Sequence, residues 1–111
     1  MSRRDDATSL RQMLDHAREI ADLSRDRTLA DLESDRLLEL ALLRLLEILG
    51  ESARRVSSEY RAAHPELPWR DVTGMRNWLI HAYDDVNLGI VWRTATQDVP
   101  RLVETLERLL R

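Results

Sequence analysis

Lysine, cysteine and phenylalanine are all missing from this 111-residue chain, and glycine and proline occur only three times each. Without cysteine there is no disulfide, zinc–thiolate site, iron–sulfur cluster or thiol nucleophile. Few helix breakers and few β-branched residues stand beside abundant leucine, alanine, arginine and glutamate, which argues for helices and against a sheet-rich domain. No uncharged run approaches the roughly 20 apolar residues that a membrane span needs. No secretory signal opens the chain, so a soluble cytoplasmic protein without a membrane partner is expected. An excess of positive charge is lacking too. The 17 basic residues, all arginine, face 20 acidic ones, for a net charge of −3. A protein coated in positive potential for nucleic acid is thereby excluded, and any polyanion site must be a local arginine cluster. Guanidinium forks suit phosphate in such a cluster.

What is present is a 43% hydrophobic, 33% charged composition, enough to bury a core and too apolar for a disordered tail. The length allows one domain, covering residues 1–111. Leu10, Met13, Leu14, Ala17, Ile20 and Ala21 recur at spacings of three and four and predict a first helix over 7–23. Its outer face carries Arg11, Asp15, Arg18, Glu19 and Asp22. After a polar break at 24–27, Thr28 reads as an N-cap with Asp31 closing an acidic variant of the capping box.

A long helix is expected over 34–63. Between Arg36 and Leu49 its only charged residues, Arg36, Glu39, Arg44 and Glu47, fall within a stripe roughly 140° wide at 100° per residue. The remaining circumference is leucine, isoleucine or alanine. That exceeds the roughly 100° apolar face a helix of a monomeric bundle requires, so the helix is expected to sit centrally and also to supply a subunit interface. Gly50 is a candidate kink or close contact, and the His64-Pro65 step ends the helix because a residue before proline avoids the α region. A further helix is expected from Trp69 to about His81 or Tyr83. Asn87 is expected to cap a short helix through Thr94, and Asp98 a last one with Pro100 in its first turn. Leu102, Val103, Leu106, Leu109 and Leu110 would face its core. The expected architecture is all-α: an up-and-down bundle of four main helices plus short pieces.

Chemistry has few places to reside. None of the three histidines has the spacing of a helical metal pair, and phosphate loops, nucleophile elbows and acidic metal sets are missing. His16 reads as a surface residue, and His64 as a helix-end residue suited to the helix dipole. His81 stands in different company. The run Met75-Arg76-Asn77-Trp78-Leu79-Ile80-His81-Ala82-Tyr83 combines arginine, asparagine, histidine and tyrosine in a short amphipathic stretch. On a helix, Arg76 and His81 are about 7.5 Å apart along the axis and about 140° apart around it. One copy would not bring them together neatly, whereas two copies about a two-fold axis could share a cleft. Histidine can move the proton of a 2′-hydroxyl or a leaving group, and arginine can hold a scissile phosphate. The pair therefore suits RNA cleavage without metal, although arginine and histidine at this spacing are common on helices. Trp69, Trp78 and Trp92 could stack bases but fit core or interface positions better. Arg44, Arg54 and Arg55 read as a solvated face, and Glu51 as a solvated or capping residue that could also line the cleft.

The segment from Pro68 through Trp69-Arg70-Asp71-Val72-Thr73-Gly74 into the run ending at Tyr83, followed by Val91-Trp92, closely resembles the HepT-like family of HEPN-domain proteins. Asp35-Arg36, Ile48-Leu49-Gly50-Glu51-Ser52-Ala53 and His64-Pro65-Glu66-Leu67-Pro68 agree with it, and the likeness extends from about Leu10 to Leu110. The resemblance implies a helical-bundle homodimer acting as a metal-independent ribonuclease, with no cofactor. It further implies the toxin of a type VII toxin–antitoxin pair whose antitoxin is a minimal nucleotidyltransferase of the MNT type. On that likeness Arg76 and His81 form the catalytic pair, Asn77 supports the motif, and Tyr83 is the hydroxyl that the antitoxin modifies with AMP. Each AMP would place a phosphate's charge and a nucleoside's bulk where RNA should bind. Two other readings stay open: a non-catalytic subunit that lends a nucleotidyltransferase a nucleotide or substrate surface, and a purely structural dimerisation module.

Overall fold

A computed structural model of the protein describes residues 3–75, 77–79 and 87–111. Among the described residues the fold is all-α, with no strand. Helix α1 spans Arg3–Ser24 and begins four residues earlier than its hydrophobic period indicates, because Asp5 and Asp6 suit a first turn. The predicted stripe is its buried face: Leu10, Met13, Leu14, Ala17 and Ile20 all lie in the core. The chain leaves α1 through a turn in which Asp26 adopts a left-handed φ of 61°, a conformation aspartate tolerates better than most residues.

Helix α2 covers Leu29–Ser34. The expected capping box is formed: the Asp31 amide donates to Thr28 Oγ1 at 3.2 Å, and the Thr28 amide donates to Asp31 Oδ2 at 2.8 Å. Asp35 then caps α3 (Arg36–Arg54), its carboxylate accepting the Leu37 and Leu38 amides at 3.1 Å each. Leu38, Leu42, Leu43, Leu46, Leu49 and Ala53 sink into the core, each large side chain contributing about 1.5–3 kcal/mol of hydrophobic burial. Gly50 is buried inside α3 and does not end it.

The single helix expected over 34–63 is two helices. It stops at Arg54, and α4 (Ser58–Ala63) starts afresh after Ser57. The reason is a contact remote in sequence. Asp6 of α1, buried to 6% exposure, accepts the Ser57 amide at 2.8 Å and the Ser57 hydroxyl at 2.6 Å. The same hydroxyl oxygen caps α4 by accepting the Tyr60 amide. A Ser57 amide bonded to a side chain is lost to any α-helical ladder, so the helix must break there.

Helix α5 (Trp69–Thr73) follows the proline connector, and Gly74 interrupts it before helical geometry resumes at residues 75 and 77–79. The expected far end of that helix, at His81 or Tyr83, lies outside the described residues. Asn87 caps α6 (Leu88–Arg93) as expected. Asp98 does not cap a new helix. Its backbone is helical and its side chain makes no capping bond, because α6 runs through a π-turn at Thr94–Asp98 directly into α7 (Val99–Leu109). Pro100 offers no amide to the Thr96 carbonyl, and the Thr94 and Thr96 hydroxyls bond to the carbonyls of Ile90 and Trp92. The Val99 amide reaches Thr94 instead, and this wider turn absorbs the proline. Helix α1 packs against both α3 and α7, and α3 packs against α5, so the core lies between the two long helices and the composite C-terminal one.

Candidate active site

The described part of the motif region hangs from a joint between α5 and the helical residues after it. Val72, Met75 and Leu79 bury one face of this segment. Gly74 makes the joint tight, since a Cβ there would stand 3.0 Å from the Arg70 carbonyl oxygen. Across the joint the Asn77 amide donates to Gly74 at 3.1 Å rather than to Thr73, its partner in an uninterrupted helix. The Thr73 carbonyl accepts instead from Arg54 Nε, at 3.1 Å, on the last turn of α3. Arg54 is therefore a specific tie across 19 positions, which its reading as a solvated residue did not anticipate.

Of the motif residues, Asn77 is helical and exposed. Arg76, His81 and Tyr83 lie outside the described residues. Trp78 is half-buried beside Asn77 and packs on the core. Among the described residues it borders a groove of about 1010 Å³ between this segment and α6–α7, floored by Val72, Met75, Val99 and Leu102. Arg70 and Arg101 line the groove together with Glu66, Asp71 and Asp98. Among the described residues, two arginines against three acids give this lining no net positive charge.

The other sequence candidates have structural partners. Trp69 is buried and donates Nε1–H to the His64 carbonyl at 2.8 Å, and Trp92 packs on the core half-buried. His64 stacks on Tyr60 with ring centroids 4.2 Å apart, and its Nδ1 stands 3.1 Å from Glu66. Burial first, then the charges of Glu66 and Asp6, raises the pKa of the Tyr60 hydroxyl. His16 is half-buried rather than on the open surface, with Nδ1 3.7 Å from Glu19. Arg44 pairs with Glu47 at 3.1 Å and Arg36 with Glu39 at 3.3 Å, exposed arginines against half-buried glutamates. Arg55 is exposed and Glu51 half-buried. Sequence reasoning missed Asp6 and Ser57 altogether. The one local hint was the serine pair Ser57-Ser58, a composition that favours a cap over a helix interior.

The surplus apolar face of α3 is real in the single chain. Leu37 is 78% exposed and Leu40 36%, with Ala41, Leu45 and Ile48 half-buried along the same helix. Among the described residues, no three His, Cys, Asp or Glu side chains converge as a metal site, and no helix is long and apolar enough to cross a membrane.

Comparison with known proteins decides the family, for the model described as "Ribonuclease HepT-like" matches residues 13–109. The chain belongs to the HepT-like ribonuclease family. A relative from Thermococcus cleftensis named "Probable ribonuclease HepT" is 36% identical over 90 residues, covering 81% of this chain and 82% of its own. A "Putative RNase" of Methanocaldococcus jannaschii is 30% identical over 107 residues, covering 96% and 98%. Another of that name, from Caldanaerobacter subterraneus subsp. tengcongensis, is 37% identical over 81 residues, covering 73% and 72%. No solved structure matches the chain. Membership makes this HepT-like chain an enzyme of the ribonuclease class, the class to which its Arg-x4-His-x-Tyr run pointed.

Proposed function

We propose that the protein is the toxin of a HepT/MNT pair: a metal-independent endoribonuclease whose catalytic groups are Arg76 and His81, with Asn77 supporting the motif. The observation that carries the reading is the run Arg76-Asn77-x3-His81-x-Tyr83 within a chain matched by the HepT-like ribonuclease family over residues 13–109. His81 accepts the proton of the attacking 2′-hydroxyl or gives one to the departing 5′-oxygen, a role that suits an imidazole. The 2′-oxygen–phosphorus bond forms and the phosphorus–5′-oxygen bond breaks, leaving a cyclic phosphate and a free hydroxyl. Arg76 balances the charge that builds on phosphorus.

In this reading the working unit is a homodimer whose two motifs share one cleft. The exposed Leu37 and Leu40 of α3 supply apolar surface for a second copy. The antitoxin is a minimal nucleotidyltransferase. The Tyr83 oxygen attacks the α-phosphorus of ATP held by that partner, pyrophosphate leaves, and the AMP left behind closes the cleft by charge and bulk.

The test is RNA cleavage by the purified, unmodified protein in EDTA. Native protein cuts, and His81→Ala lowers kcat by about 10²–10⁴-fold while keeping the helical spectrum and the dimer. Cleavage at the native rate by His81→Ala refutes the mechanism. Absence of cleavage with tight antitoxin binding would point to a non-catalytic nucleotidyltransferase subunit. Incubation with antitoxin and ATP adds AMP masses to the native chain; additions that persist in Tyr83→Phe refute the modification site.

A further inference from the structure

At the joint before the motif, the Thr73 carbonyl takes a hydrogen bond from a side chain of another helix. The Asn77 amide, four residues on, has turned to Gly74, and the Thr73 carbonyl takes its hydrogen bond from Arg54 Nε at 3.1 Å. The stem that presents Arg54 is held firmly. Ser52 and Ala53 are buried at 2% and 0% exposure, Val56 at 1% follows, and Ser57 is tied to buried Asp6 of α1. On the other side, Val72 and Met75 are buried just before and after the joint. Gly74 runs close to the Arg70 carbonyl, so that a Cβ there would stand 3.0 Å from its oxygen. Arg54 thus connects the rigid end of α3 to the one interruption between α5 and the residues leading into the motif, and Arg76 follows Met75 directly in the chain.

We infer that Arg54 is a positioning residue for RNA cleavage: its bond to the Thr73 carbonyl sets the backbone from which the Arg76-x4-His81 motif departs. The inference rests on the assignment of cleavage to that motif. Its physical basis is that small misplacements of catalytic groups are costly, about 100-fold in rate for 1 Å, and a pivot two residues before Arg76 controls such a displacement. Arg54 does not touch the reacting atoms in this scheme. A second possible role for an exposed arginine, direct contact with an RNA phosphate, makes a different prediction, since it would act on binding and on its salt dependence.

Arg54→Ala, Arg54→Lys and His81→Ala are compared with the native protein in two measurements: steady-state RNA cleavage across salt concentrations, and amide hydrogen exchange. Arg54→Ala is expected to lower kcat by about 10-fold with KM within about twofold. Arg54→Lys, which retains a cationic donor, recovers part of the loss. Exchange at Gly74, Asn77 and Trp78 accelerates by about 10-fold in Arg54→Ala, while amides of α1 and the middle of α3 exchange at the native rate. Unchanged exchange at these three amides overturns the inference, whatever the protein does to RNA. An unchanged kcat overturns it as well. So does a raised KM with unchanged kcat and a salt slope smaller by about 1, the signature of a lost phosphate contact. If His81→Ala cuts at the native rate the motif assignment fails instead, and the exchange result still decides whether Arg54 sets the joint.

Discussion

Replacing Asp6 with alanine should destabilise the protein more than any other change to a charged side chain in the described fold. The carboxylate is 6% exposed and accepts two bonds from one residue, the Ser57 amide at 2.8 Å and the Ser57 hydroxyl at 2.6 Å. Hydrogen bonds to a charged acceptor contribute about 1.5–3 kcal/mol each, and a buried amide left without a partner costs about 1–3 kcal/mol. These figures overlap, because the lost bond and the orphaned amide are partly the same quantity. Loss of the favourable charge in the first turn of α1 adds about 0.3–1 kcal/mol. The expected cost of Asp6→Ala is therefore about 3 kcal/mol. At about 4 °C per kcal/mol, that lowers Tm by roughly 12 °C in a chain this size. Asp6→Asn should cost about half as much, since its carbonyl oxygen still accepts the amide while its NH2 group opposes the serine hydroxyl. Urea unfolding followed by circular dichroism, at one protein concentration throughout, gives the free energies. Ser57→Ala completes a double-mutant cycle with an expected coupling of at least about 1 kcal/mol. A cost below about 0.5 kcal/mol for Asp6→Ala, or additive effects in the cycle, would refute the claim that this contact divides α3 from α4.

Two further outcomes follow from the geometry. In Tyr83→Phe, which leaves Tyr60 as the only tyrosine, an ultraviolet titration should give a midpoint above 10, because burial and the nearby carboxylates disfavour the phenolate. Above pH 10 the unfolded chain then releases a proton that the folded one keeps, so stability falls as pH rises toward the folded pKa; Tyr60→Phe should flatten that fall, and a midpoint at or below 10 refutes it. Leu37→Asp should weaken self-association by at least about 10-fold in sedimentation equilibrium, since the side chain is 78% exposed in the single chain and an apolar patch of this kind marks an interface; a dimer of native affinity would remove α3 from the interface.

Much of the fold was legible because its determinants are local. The stripe from Leu10 to Ile20, the Thr28–Asp31 capping box and the Asn87 cap all depend on residues within a turn or two of one another. The surplus apolar surface of α3 was equally visible in its charge spacing, and Leu37 at 78% exposure is its consequence. The motif Arg76-x4-His81-x-Tyr83 needed no structure to be seen, and the family match over 13–109 spans it. Local rules failed where two signals competed. Asp98 had the composition of a cap, but the π-turn that accommodates Pro100 kept the helix running through it.

The sequence by itself determined a lysine-free, cysteine-free helical protein, most of its helix starts, and the exclusion of thiol chemistry. Tertiary structure alone decided where the long helix divides and which distant carbonyl the Arg54 guanidinium takes up. Asp6 and Ser57 are 51 positions apart and Arg54 and Thr73 are 19 apart. Periodicity and capping rules reach only four residues along a helix, so a carboxylate that takes an amide from a distant helix, or a guanidinium that takes up a distant carbonyl, has no signature in either local sequence. Such contacts come into being when packed helices bring unused donors and acceptors together and burial makes leaving them unpaired costly.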